Sequence, residues 1–389
     1  MTIRSIRPVG RVGLTEVTRE WGRIGLVGFG GPPAHVALLR DLCVARRGWL
    51  SPREFEDANA ACNLLPGPAS TQLAIFCAYR VAGRPGAVVG GLAFIVPGLV
   101  MILALAAFSL SGRPPAWIRA LGAGAGAAVV PVVVAASVTL GRAGLHGLRG
   151  ARLARAVAYL AAGAVATVLI GAYVVLVLLA CGLIELVTRR GPPRVAALLA
   201  PLPLPLLTVA TGAAALPALA WTAFKVGALS YGGGFVIIPL MQGDAVDAYG
   251  WMTQSEFLNA VAFGQLTPGP VVQTVAVVGW AAAGPAGALL AAAVAFAPSF
   301  LVVVLGGGRF ERVRSSARAR AFLDGAGPAA VGAIAGAAVP LLAGVDEPWQ
   351  WAVLIAAAGA LLARVPPIWV LGAGAALGVV AGLAGRAPG

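Results

Sequence analysis

The sequence predicts an all-α polytopic membrane protein of two homologous halves. The halves form an inverted repeat, each with a broken, re-entrant-like helix at a Pro-Gly-Pro triplet. Three observations predict this: long stretches without charge, a repeat at a constant spacing of 202 residues, and opposite charge in the matching loops.

The chain has 389 residues, of which 59% are hydrophobic and 11% charged. A soluble domain carries about 25% charged residues. No charge interrupts the stretches between Arg84 and Arg113, Arg155 and Glu185, Arg194 and Lys225, or Glu256 and Arg309. Each is long enough for at least one membrane helix of about 20 residues. The N-terminal MTIRSIRPVGRVGLTEVTREWGR is not a secretory signal, because it holds Glu16 and Glu20 and no compact apolar run. The net charge of +14 is almost wholly arginine. In this apolar setting it marks cytoplasmic loops, not nucleic-acid binding. Cys43, Cys62, Cys77 and Cys181 show no metal-like spacing, and His35 and His146 stand alone. No disulfide, zinc site, haem or other cofactor is expected.

Aligning residues 25–68 on 227–270 gives 15 identities in 44 positions. Gly30-Gly31 matches Gly232-Gly233, Gly48-Trp49 matches Gly250-Trp251, and Glu54-Phe55 matches Glu256-Phe257. Pro66-Gly67-Pro68 matches Pro268-Gly269-Pro270, Arg23 matches Lys225, and after one deletion Pro97 matches Pro298. The expected organisation is a first repeat over 1–190, a proline-rich linker over 191–206 and a second repeat over 207–389.

The matching loops set the orientation. The loop before Glu54 carries Arg40, Arg46, Arg47 and Arg53; its counterpart before Glu256 carries Asp244 and Asp247 and no cation. Opposite charge favours opposite membrane faces. The arginines at 142–155, 189–194 and 309–320 also fall on the cytoplasmic side if each Pro-Gly-Pro segment is a hairpin returning to its own face. Arg113 and Arg119 do not fit. The N-terminal arginines fit only if the first helix lies in the interface or pairs with a short second crossing.

Proline inside a helix removes a hydrogen bond and clashes with the preceding turn. Each triplet therefore splits its segment, into 52–65 and 69–82 in the first half and 254–267 and 271–283 in the second. The first N–H groups of the second piece lack partners and carry the positive end of the helix dipole. Such an end binds anions. Broken backbone at membrane depth is tolerated only inside protein or along a cavity. Polar residues gather at both breaks: Asn63, Ser70, Thr71 and Gln72 in one, Gln265, Thr267, Gln273 and Thr274 in the other. Apart from Thr267, these residues form the candidate substrate site together with Pro66, Gly67, Pro68, Pro268, Gly269 and Pro270. A plain proline kink packed on its neighbours is the alternative.

Lys225 and its counterpart Arg23 are candidate substrate cations, because an ionisable group in the apolar layer is costly and functional by default. Snorkelling to the interface is the alternative. Gly30, Gly31, Gly232 and Gly233 permit close backbone approach and could offer further N–H groups to an anion. Glu54 and Glu256 open the broken helices. They read as first-turn dipole partners capped by Ser51 and Thr253, or as coupling carboxylates with raised pKa.

Together, Arg23 or Lys225 followed by GFGGPP or SYGGG, then GWLSPREF or GWMTQSEF, then LLPGP or LTPGP, resemble the chromate ion transporter family. The resemblance covers both halves and implies the long, fused form. It implies a bacterial inner-membrane carrier for chromate, with sulfate in some members, in which export confers resistance and proton-motive force is the drive. The expected partners are the oxyanion and the lipid bilayer. A homodimer is compatible with this, and the sequence does not fix the oligomeric state. An anion channel could use the same broken helices. An intramembrane enzyme lacks a catalytic set such as Ser-His-Asp or HExxH, and a primary pump lacks a phosphate loop.

Overall fold

A computed structural model of the chain describes residues 12–63, 65, 67–111, 114–190, 215–230, 235–306 and 316–385. These are helical, with no strand among them. The expected linker at 191–206, Arg113, Pro66, Gly232 and Gly233 lie outside the described residues.

The first half begins with two short hairpins. Helix α1 (Leu14–Val27) ends at glycines, and α2 (Pro32–Arg40) runs on as a π-helical turn over Asp41–Arg46. Arg47 then pairs with Glu16 at 3.1 Å and Glu20 at 2.6 Å, so the start of α1 and the end of the π-turn share one membrane face. Helix α3 (Pro52–Cys62) starts with Ser51 and Glu54 in a reciprocal capping box and with proline at its first position. Both choices satisfy or remove N–H groups that a helix start leaves unbonded. Helix α4 (Ala69–Ser109) follows the break. It is itself interrupted at Ala82-Gly83, where Gly83 has φ +69°. Arg80, near the end of the first limb, pairs with Glu54 at the start of α3 at 2.9 Å. The α3–break–69–81 unit is therefore a re-entrant hairpin returning to its own face, as expected. The second limb of α4 crosses the membrane. It is followed by α5 (Ala116–Leu145), α6 (Gly150–Ile170) and α7 (Val174–Arg190).

The second half repeats the plan in detail. Helix α8 (Ala215–Leu229) corresponds to α1, α9 (Ile237–Gln242) with its π-turn Gly243–Ala248 to α2, and α10 (Gln254–Leu266) to α3. Thr253 and Glu256 form the same capping box. Helix α11 (Thr274–Gly306) is kinked at Ala283-Gly284, with Gly284 at φ +62°. Helices α12 (Ala317–Leu342), α13 (Pro348–Leu362) and α14 (Pro367–Leu383) complete it. Among the described residues, five helices are long and apolar enough to cross a bilayer. Val88, Leu92, Val96 and Val100 form an exposed apolar stripe along α4 at a spacing of four, suited to lipid tails.

The halves are inverted. Helix α6 begins where Arg155 meets Glu185 near the end of α7, and ends at Gly171, beside Asp247 and Gly243 of the second π-turn. The second π-turn thus sits on the face where α6 ends. The first π-turn sits where the long limb of α4 begins. Two crossings later, after α4 and α5, the chain is back on that face to start α6. Ser255 bonds to Asp346 just past the end of α12, which also places the base of α10 on the second face. Arg47, Arg53, Arg84, Arg142, Arg152, Arg189 and Arg318 gather on the first face, which is therefore cytoplasmic. The α1–α2 hairpin has the start of α1 on the same face, through Glu16 and Glu20 with Arg47; the arginines before residue 12 lie outside the described residues. Arg119, near the start of α5, remains on the other.

The halves are also interleaved. Helices α6 and α7 of the first half pack on α12 of the second, and α13 and α14 of the second pack on α5 of the first. Gly163 lies against the Ala329 carbonyl and Gly332 against the Leu160 carbonyl; Gly124 and Gly378 bring α5 and α14 equally close. Small residues permit this approach where lipid supplies no hydrophobic drive between helices.

The inversion makes a direct prediction. The native cysteines are buried, while Arg53 and Ala248 are exposed at corresponding hairpin bases. Cysteines placed singly at these positions should react with a membrane-impermeant maleimide from opposite faces, Arg53→Cys from the cytoplasm and Ala248→Cys from outside. Labelling of both from one face would contradict the fold.

Candidate functional site

Both Pro-Gly-Pro breaks sit at mid-depth, and each is seated on the other half. Gly25 of α1 packs on the Phe94 backbone, about 15 Å along the crossing limb of α4 at 1.5 Å per residue. The tip of the first hairpin, Gly28 to Gly31, therefore reaches the middle of the crossing. There the Gly28 carbonyl accepts the Gly269 N–H of the second break at 3.1 Å. Gly31 faces Val271, and a side chain at Gly98 would overlap the Pro268 carbonyl and the Gln273 amide. Reciprocally, the first break meets Ser299, which follows the proline aligned with Pro97. A Cβ at Gly67 would lie 2.5 Å from Gln72 Nε2 and 3.2 Å from Ser299 Oγ.

At the first break, Pro68 precedes α4 and no side chain caps the helix. Ser70, Thr71 and Gln72 are buried in its first turn. His35 Nε2 lies 2.9 Å from the Gly28 carbonyl and Nδ1 3.3 Å from Ser70 Oγ. A carbonyl only accepts, so the proton sits on Nε2 and Nδ1 accepts from the Ser70 hydroxyl in the neutral ring. Phe94 packs edge-on against the imidazole at 5.0 Å. His35, read from sequence as isolated, thus joins the glycine hairpin to the first break. Its position after GGPP, in a strongly apolar chain, was the available signal. Thr71 Oγ1 and Ser299 Oγ are fully buried with no hydrogen-bond partner among the described residues. Each such group costs about 1–3 kcal/mol, which suits a site that receives a polar ligand.

At the second break the polar groups bond to one another. Gln273 Nε2 donates to Thr267 Oγ1 at 2.9 Å and to the Pro268 carbonyl at 3.0 Å. Thr267 Oγ1 donates to the Phe263 carbonyl and Thr274 Oγ1 to the Val271 carbonyl, both at 2.8 Å. A short 3₁₀ turn, Val271–Gln273, separates Pro270 from α11. Gln265 is half-buried, with its amide nitrogen unbonded. Asn63 is exposed, donates to the Asn59 carbonyl and lines a cavity of about 410 Å³. That cavity opens among Arg152, Arg189, Glu185 and Asp324 on the cytoplasmic face and reaches Val236, beside the second glycine loop.

The structure thus brings Gly30, Gly31, Gly67, Pro68, Ser70, Thr71, Gln72, Pro268, Gly269, Pro270, Gln273 and Thr274 to one depth. It keeps the charged candidates elsewhere. Arg23 is exposed on α1 beside Glu20, Asp41 and Arg46. Lys225 Nζ pairs with Asp244 Oδ2 at 2.6 Å, and Thr222 donates to the same oxygen at 2.6 Å. This fastens the α8–α9 hairpin near the outer face, where sequence had suggested a substrate cation. Glu54 lies at a hairpin base, in its capping box and paired with Arg80. The Ser51 backbone N–H, the Ser51 hydroxyl and Arg80 hold its carboxyl below the usual range despite some burial. The raised value considered for a coupling carboxylate is corrected here, since donors outweigh desolvation. Glu256 occupies the same cap on the opposite face, away from the breaks.

A family model described as "Chromate transporter" matches residues 15–186 and 217–379, one match in each half. The chain is 33% identical over 336 residues to the "Chromate transport protein" of Cupriavidus metallidurans, covering 84% of this chain and 82% of that one. It is 32% identical over 340 residues to the "Probable chromate transport protein" of Synechococcus elongatus, covering 84% of each. It is also 32% identical over 341 residues to the "Chromate transport protein" of Pseudomonas aeruginosa, covering 82% of this chain and 79% of that one. No solved structure matches the chain.

Two substitutions test this geometry. Gly67→Ala must place a Cβ at φ +118° against Gln72 and Ser299; loss of transport is expected, with the protein still inserted as judged by gel filtration in detergent. Lys225→Met alone leaves Asp244 buried without its cation and should cost about 3–5 kcal/mol. Joining it to Asp244→Leu should recover most of the thermal stability. A double variant no better than the single would show that the pair is not a clasp.

Proposed function

The chain belongs to the chromate transporter family, and on that premise we propose that it exports chromate by secondary active transport drawing on the proton-motive force. It is a multi-pass bacterial membrane protein. The observation that carries the reading is the crossing of two broken helices at mid-depth, each seated on the opposite half. This is the arrangement in which inverted repeats hold a substrate for alternating access.

Chromate is a tetrahedral dianion that accepts hydrogen bonds and donates none. Helix N-termini and buried hydroxyls suit it without a metal or covalent step. The cavity open to the arginine-rich face supports loading from the cytoplasm. Arg152 and Arg189 at its rim favour a dianion over a neutral solute. Rocking of the interleaved helices around the breaks would then close this cavity and open the outer face, where Lys225 and Asp244 must separate.

Electrostatics favours the outward direction. Moving one charge through 100 mV is worth about 2.3 kcal/mol, so a dianion leaving an inside-negative cell gains about twice that. Sulfate has the same charge and shape and is expected to compete.

Purified protein in liposomes tests this. Chromate should enter vesicles saturably, at a rate that rises when a potassium diffusion potential is made positive inside, with sulfate inhibiting. Failure to move chromate or sulfate under any gradient would overturn the reading. Steady unitary currents without saturation would indicate a channel instead.

A further inference from the structure

We propose that the oxyanion binds at the first break only, between the first turn of α4 and Ser299 from the second half, and that the second break has become an internal plug. This rests on the oxyanion-transport reading and narrows it to one of two homologous sites.

The breaks differ in what they can offer an anion. At the first, Thr71 Oγ1 and Ser299 Oγ are fully buried hydroxyls without hydrogen-bond partners among the described residues. Ser299 approaches Gly67 from the opposite half. Both are donors, they stand at an N-terminus with no side-chain cap, and the helix dipole adds positive potential there. Gly67 lacks a Cβ where one would fill the space between Gln72 and Ser299.

At the second break most donors are already bonded, the half-buried Gln265 amide nitrogen being the exception. Gly269 N–H goes to Gly28, Gln273 N–H to Pro270, and the Thr267 and Thr274 hydroxyls to backbone carbonyls. Gln273 folds its nitrogen onto Thr267 and the Pro268 carbonyl. The carbonyl accepts only, which fixes the amide orientation. Gln273 Oε1 is a buried acceptor with no partner among the described residues. Gly98 completes the plug by letting the crossing limb of α4 close on Pro268 and Gln273. One aligned position thus separates the two copies: the residue after the conserved-phase proline is Ser299 in one limb and Gly98 in the other.

The test is saturation kinetics of chromate transport in liposomes for four variants, with folding followed by gel filtration. Ser299→Ala and Thr71→Val should each raise KM about ten- to a hundredfold, the range for a lost hydrogen bond to a charged group. Ser299→Thr keeps the hydroxyl and should stay within about threefold of the wild type. Thr267→Val, at the plug, should leave KM within about twofold, any loss appearing in the yield of folded protein. If Ser299→Ala does not fold, Thr71→Val reads the same site. Unchanged KM in the folded first-break variants, or an equal rise in Thr267→Val, would overturn the one-site assignment while leaving transport intact. A wild type that moves neither chromate nor sulfate would overturn the transport reading and this site with it.

Discussion

A backbone break in the middle of a bilayer must find its hydrogen-bond partners within the protein. Here one partner and much of the packing come from the opposite half. The Gly28 carbonyl takes the Gly269 N–H, Gly98 lies under Pro268, and Ser299 faces Gly67. A re-entrant hairpin alone would expose these groups to lipid. Two inverted copies cover each other, so the duplication is a structural requirement before it is a functional convenience. The interleaving of α6 and α7 with α12, and of α13 and α14 with α5, extends the same exchange to the outer helices.

The charge pattern follows from the inversion. On the cytoplasmic face the first hairpin is fastened by acids on α1 and a base after the π-turn, Glu16 and Glu20 with Arg47. On the outer face the signs are exchanged, with Lys225 on α8 and Asp244 in the π-turn. Both fasten the two strokes of a glycine-tipped hairpin, while orientation in the membrane demands arginine on only one side. The functional part of the molecule is left with little formal charge. On the proposed reading, recognition of an anion would fall to helix ends and hydroxyls, which would hold a dianion without gripping it as a buried arginine would.

Much of this was legible because proline and glycine act locally. The breaks, the hairpin limbs at 69–82 and 271–283, and the repeat all follow from short-range backbone rules, and the limbs end at kinks at Ala82-Gly83 and Ala283-Gly284. The inversion was legible from Asp244 and Asp247 in the loop that matches the one carrying Arg40, Arg46, Arg47 and Arg53. What could not be read were tertiary contacts. Ser299 carried no signal of its own, His35 read as a lone histidine, and Lys225 as a candidate substrate cation. Each is defined by a partner far along the chain: Gly67 for Ser299, Ser70 for His35 and Asp244 for Lys225. Sequence periodicity carries no information about such pairs. The polar residues at the two breaks differ in sequence, but which copy faces a ligand was not legible, because Gln273 and Thr274 count as polar whether they bond to a ligand or to their own loop.

The most direct test is the position of the anion itself. Chromium anomalous scattering from crystals of the protein soaked in chromate would locate it independently of any rate. The account predicts one peak at mid-depth, between the start of α4 and Ser299. A peak at Lys225, or at the Gln273 break, with none beside Ser299, would contradict it.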